Sequence, residues 1–239
     1  MRNGQPAEHH SLRRAAMLTA GVGIAHALLF LLAYWLLSGT PDSRASDTDV
    51  ASFYTSANQR RLVLAGLYIM PFAGIAFVWF IVALRMWISQ TNRREDILLS
   101  NIQLVSGILY VALFFASAAT SSATAASVEF SDARVSPDIA RQLPLYGNAL
   151  LFVFAARMAA MFVFATSNIA RVNHLLPRWF VLLGFCVGIF MLLSASFTPV
   201  LILVFPVWLL CLSALLLLRA RRIPAALVLG ERPVLQPPT

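Results

Sequence analysis

Residues 143–171, LPLYGNALLFVFAARMAAMFVFATSNIAR, form an almost unbroken apolar run with one arginine, Arg157, at its middle. About 20 apolar residues, each rising 1.5 Å, span the ~30 Å hydrocarbon core of a bilayer, so a run of this length is expected to cross one as a helix. A guanidinium at that depth costs about 2.5 kcal/mol or more unless something inside the protein receives it. Whatever the rest of the chain folds into must therefore accommodate Arg157.

Five further apolar runs accompany this one. The expected spans cover about 15–37, 62–88, 97–119, 147–169, 179–197 and 200–218. Apolar residues make up 59% of the 239 positions and charged residues 12%, against roughly 45–50% and 25% in a soluble domain. The fold class that follows is all-α, a polytopic transmembrane bundle of six helices over 15–218. A polar N-terminal tail (1–14) precedes it, and a basic, then proline-rich tail (219–239) follows. The first run exceeds the about 7–15 residues of a signal-peptide core and has no small-residue cleavage site, so it reads as an uncleaved span.

The basic residues are all arginine, which points to a GC-rich genome, and they cluster at segment ends. With the N-terminus inside, the cytoplasmic segments hold twelve of them (Arg2, Arg13, Arg14, Arg85, Arg93, Arg94, Arg171, Arg178, Arg219, Arg221, Arg222, Arg232). The other side holds five, Arg44, Arg60, Arg61, Arg134 and Arg141. Positive charge stays with the cytoplasmic loops, so both termini are expected in the cytoplasm of a bacterial cell, with a multi-pass protein in its cytoplasmic membrane. The net charge of +8 then orients the chain in a bilayer, and no basic stripe offers itself to a nucleic acid.

Both long loops face outward in this arrangement. In the first, Asp47 or Thr48 is expected to cap a short helix with Val50, Phe53, Tyr54 and Ala57 on one face. In the second, Ser136, Pro137 and Asp138 read as N-cap, N1 and N2 of another. Both are expected to lie at the interface. Pro71 with Gly74, and Pro206, mark expected kinks, and Gly184 and Gly188 have the GxxxG spacing of close helix contact. Cys186 and Cys211 fall inside apolar runs and form no disulfide framework.

Arg157 lies about 21 Å from the cytoplasmic boundary counted from Arg171, and His26 about 18 Å counted from Arg14. All ten acidic residues fall in tails or loops, so no carboxylate from a span can neutralise Arg157. On a structural reading the guanidinium braces helices through carbonyls or through Tyr68, Tyr110, Ser106, Gln103 or a folded-back Glu129. On a functional reading it receives an anionic headgroup or substrate, with Arg157, His26, Tyr68 and Tyr110 forming the ligand site. His26 is either a hydrogen-bonded core residue or part of that site. As the one membrane histidine it cannot supply both axial ligands of a haem, and His9 and His10 have no third ligand for zinc. No cofactor, metal site or catalytic residue is expected, since the chain has no GxSxG, HExxH, Walker loop or aspartate pair in a span.

The stretches RRLVLAGLYIMPFAGIAFVWFIVALRMWI, NIQLVSGILY and LPRWFVLLGFCVGIF resemble a group of uncharacterised bacterial six-helix integral membrane proteins of similar length. The resemblance implies the six-helix fold and carries over no activity and no site residue. Two functions remain open. One is binding or transport of an anionic or amphipathic, lipid-like molecule at the intramembrane arginine. The other is a non-enzymatic accessory or scaffold subunit docking on a membrane-protein partner. A membrane enzyme ranks third.

Overall fold

The computed structural model describes residues 5–37, 39–41, 44–54, 57–91, 97–131, 136–194 and 199–222. Among these every regular element is a helix: α1 (Gln5–Leu37), α2 (Asp47–Tyr54), α3 (Ala57–Val63), α4 (Met70–Thr91), α5 (Ile97–Ser131), α6 (Pro137–Ala149), α7 (Ala156–Val172), α8 (Arg178–Leu193) and α9 (Pro199–Arg222). Two wider π turns, Leu64–Ile69 and Leu150–Ala155, join α3 to α4 and α6 to α7 without a break.

Among the described residues five stretches are long and apolar enough to cross a membrane: Arg14–Leu37, Ala57–Ser89, Ile97–Ser131, Pro137–Val172 and Leu203–Ala220. The sixth apolar helix, α8, has 16 residues and extends about 24 Å; residues 195–197 of the expected span lie outside the described residues. Large apolar side chains such as Trp35, Phe72, Trp79 and Leu193 stand exposed on the outside of the bundle. A surface of that kind suits lipid rather than water, and the chain is a multi-pass membrane protein by length, composition and surface.

α1 packs against α4 and α9, α5 against α4, α6 and α7, and α7 against α8. The GxxxG glycines serve the last of these contacts. A Cβ at Gly184 would meet the Ser167 Oγ at 2.0 Å, and one at Gly188 would meet the Phe164 ring at 3.0 Å, so α8 lies against α7 closely enough that a side chain at either position would have to displace its neighbour.

Several boundaries differ from expectation. α1 begins at Gln5 rather than about 15, because Pro6 falls in the first turn, where its missing N–H costs nothing, and no breaker follows. α5 runs on to Ser131 rather than stopping near 119. Its Ala/Ser/Thr stretch has no glycine or proline to end it, and Thr120, Ser122 and Ser127 return their hydroxyls to carbonyls three or four residues back. The second expected interfacial helix starts where the N-cap reading places it, at Pro137 after Ser136. It is continuous with the arginine-bearing span, so it forms the outer end of that span and not a separate element in the second loop. The first short helix is capped by Ser46, one residue before the expected position: its Oγ accepts the Asp49 amide at 3.2 Å and donates to the Asp49 carboxylate at 2.6 Å.

A small second core closes the loop end of the bundle. Val50 and Tyr54 of α2 are fully buried with Leu62, Val63, Ala125 and Ala140. Pro144 removes the helical donor for the Ala140 carbonyl, and the Tyr54 hydroxyl approaches that carbonyl at 3.5 Å. Burial raises the Tyr54 hydroxyl above the ordinary phenol range, which keeps it a donor. Arg141 ties α6 to the start of α2, donating from Nε at 3.0 Å and Nη2 at 2.8 Å to the Ala45 carbonyl and pairing with Asp47 and Asp138.

Candidate functional site

His26 sits at the middle of the Arg14–Leu37 stretch of α1 and is fully buried. Its Nδ1 lies 2.8 Å from the carbonyl oxygen of Ala73 in α4, and its Nε2 lies 3.3 Å from the Tyr110 hydroxyl of α5. A carbonyl can only accept, so Nδ1 carries the proton, and Nε2 accepts from Tyr110. Both ring nitrogens are therefore satisfied without charge, as burial among hydrocarbon demands. The ring packs against Phe77 at 4.8 Å between centroids and is bordered by Phe30, Phe114 and Phe205. One histidine thus links α1, α4, α5 and α9.

Toward the loop end, Tyr110 borders a void of about 20 Å³ that is walled by Phe30, Leu151, Phe152 and Phe205. A volume of about 10–15 Å³ holds one water. Leu151 and Phe152 also wall a larger cavity of about 170 Å³ that opens between α1, α5 and α6. This vestibule has hydroxyl and amide groups from Tyr34, Thr40, Ser117, Ser121 and Asn148. Ser117 donates to the Gly147 carbonyl at 2.7 Å. Tyr34, Ser121 and Asn148 direct no side-chain hydrogen bond to another described residue. On the other side of His26, Phe77, Phe80, Phe162 and Trp208 pack, stacked and edge-on, into an aromatic plug that Phe205 joins to the void.

Arg157 occupies a different place. It is half-buried and shares a stripe of α7 with Met161 and Phe164, four and seven residues on, while Ala159, Phe162, Val163 and Thr166 form the buried face. Its Nη1 donates at 2.7 Å to the carbonyl of Val153, inside the π turn. Tyr68 stands 52% exposed in the other π turn. Of the four candidate residues, then, the fold brings His26 and Tyr110 together and holds Arg157 and Tyr68 apart from them. Of the remaining groups considered as partners for Arg157, Ser106 donates to carbonyls of its own helix, Glu129 accepts from Gln59, and Gln103 donates its Nε2 to Thr166 while its buried Oε1 accepts from no described residue.

Arg157→Met tests what that side chain contributes. A hydrogen bond inside a membrane bundle is worth about 0.6 kcal/mol on average, and removing the charge offsets its loss. The variant is expected to unfold within about 1 kcal/mol of the wild type in a micelle denaturation assay. A loss beyond about 3 kcal/mol would mean that the guanidinium holds helices together.

The vestibule residues escaped the sequence reading, although two signals pointed at them. The second half of α5, with ASAATSS at 116–122, is polar and small within a span, and YGN after Pro144 puts an amide beside a close-packing glycine. Compared with protein-family models, curated proteins and solved structures, the chain matches none.

Proposed function

We propose that the protein is a non-enzymatic binding protein of a bacterial cytoplasmic membrane. In this reading it has six spans with α8 as a short one, both termini in the cytoplasm, and an outward vestibule that receives a small, uncharged amphipathic molecule. The carrying observation is the juxtaposition of polar side chains that pair with no other described residue, Tyr34, Ser121 and Asn148, with an apolar constriction, Leu151 and Phe152, above the Tyr110–His26 pair. Hydroxyls and an amide without a formal charge recognise a neutral polar head, and the constriction accepts a short apolar tail. Arg157 has a positioning role: its bond to Val153 braces the π turn that presents Leu151 and Phe152. The aromatic plug beneath His26 favours holding the molecule over conducting it.

The test replaces the exposed Cys186 and Cys211 by alanine and introduces Asn148→Cys. A membrane-impermeant maleimide applied from outside to intact cells should modify Asn148→Cys at least about tenfold faster than a cysteine at the buried Ala160. Native mass spectrometry should show a small amphipath on the wild type that Asn148→Trp, which fills the cavity, does not retain. Labelling only after the cells are opened would overturn the orientation. Equal retention by Asn148→Trp would overturn the site.

A further inference from the structure

At the opposite end of the bundle, the turn between α7 and α8 brings three basic residues around one hollow. Arg171, His174 and Arg178 border a groove of about 410 Å³ whose floor is Val181, Leu182 and Phe185. All three basic side chains are exposed, and among the described residues none has a carboxylate within ion-pair reach. Arg171 is held in place: its Nη2 donates to Asn168 Oδ1 at 2.8 Å, and its guanidinium lies 5.7 Å from the Phe185 ring centroid. At that distance the ring face attracts the cation.

The backbone beneath them is unusual. α7 ends with the Leu175 amide bonded to the Ala170 carbonyl at 3.0 Å and His174 at φ 53°. This is the left-handed position that closes many helices, where glycine is the ordinary occupant and a side chain costs about 1 kcal/mol or more. An imidazole is therefore held at a strained position between two arginines, at a helix C-terminus whose dipole favours cations.

A second groove, of about 300 Å³, meets the first at Arg171 and Phe185 and runs along the bundle wall past Ile102, Met161 and Phe164. A basic hollow thus opens directly onto an apolar track on the lipid-facing surface. We infer that the α7–α8 turn is a binding site for an anionic glycerophospholipid, its phosphate among Arg171, His174 and Arg178 and an acyl chain along Ile102, Met161 and Phe164. Basic pockets between spans suit anionic headgroups, and the planar guanidinium grips phosphate oxygens two at a time. The site is separate from the vestibule and stands whether or not the vestibule binds anything.

The experiment uses the full chain in detergent micelles, titrated with dioleoyl-phosphatidylglycerol or dioleoyl-phosphatidylcholine and read by native mass spectrometry. The wild type should retain the anionic lipid at least about tenfold better than the zwitterionic one. Each basic residue near an anionic headgroup contributes about 1 kcal/mol, so Arg171→Gln with Arg178→Gln should weaken phosphatidylglycerol on the order of 30-fold. Both side chains are exposed, so the variant should fold, and its unfolding midpoint verifies that. Arg14→Gln, at the same end but away from the grooves, should change retention less than about twofold. Millimolar inorganic phosphate should not displace the lipid, because the acyl track supplies part of its binding. Equal retention of the two lipids by the wild type would overturn the proposal, as would undiminished retention by the double variant. An equal loss with Arg14→Gln, or displacement by phosphate alone, would overturn it too.

Discussion

His26→Ala is expected to destabilise the bundle by about 3–4 kcal/mol, the largest single-residue effect in the core, because truncating a fully buried ring leaves a cavity among packed aromatics. The hydrogen bonds are the smaller part. In a membrane bundle each is worth about 0.6 kcal/mol and at most about 1.7, so His26→Leu, which keeps most of the volume, should lose about 1–2 kcal/mol. Tyr110→Phe, which removes only the donor at 3.3 Å, should lose less than either. Denaturation in mixed micelles gives the order directly. A His26→Ala loss below about 1 kcal/mol would show that the site collapses freely and that the histidine is no hub. A His26→Leu loss equal to that of His26→Ala would show that the hydrogen bonds outweigh packing.

Gly147→Val should cost nearly as much, about 3 kcal/mol, by overpacking. A Cβ at Gly147 would lie 2.0 Å from Ser121 Oγ, 3.0 Å from the Ser117 carbonyl oxygen and 3.1 Å from the Ser121 amide nitrogen. The hydroxyl can rotate away, but the two main-chain atoms belong to α5 and yield only if the helices separate. Separation also breaks the Ser117 hydrogen bond to the Gly147 carbonyl. Gly147→Ala combined with Ser121→Ala should recover part of the loss seen with Gly147→Ala alone, and not all of it. Full recovery in that double variant would show that the hydroxyl was the whole obstacle and that α6 tolerates a Cβ.

These two residues also mark how far the sequence could be read. The apolar runs are long, so the helical class and the spanning stretches were legible, and so was His26 as a polar residue at mid-depth. Tyr110 was legible as a polar candidate beside Arg157, and not as a hydrogen-bond partner of His26. The other partner, the Ala73 carbonyl, was not legible, because a main-chain acceptor leaves no trace in residue identity. The continuation of α5 beyond 119 was hidden by falling hydropathy, although no breaker interrupts it. α6 read as a separate surface helix because Pro144 and Gly147 look like punctuation. The Pro144 position is instead absorbed by the Tyr54 hydroxyl near the freed Ala140 carbonyl, and Gly147 is a contact point. The outward stripe of Arg157 was illegible for a different reason: the count from Arg171 gives depth and not the face a residue takes, and nothing in LLFVFA announces the π turn, which adds a residue to the helix there.

That extra residue has a consequence of its own. The stretch Pro137–Val172 behaves as one 36-residue rod whose two halves are set at a fixed angle by the wide turn at Leu150–Ala155. Deleting any one residue of the turn would let regular α pairing resume, and the outer half would rotate about 100° relative to the inner half. Gly147 would swing off α5, Asn148 would leave the vestibule, and the clamp of Arg141 on Ala45 would open, although no contacting side chain had been changed. The angular offset is thus inherited information that point substitutions leave intact, and a single-codon deletion erases it.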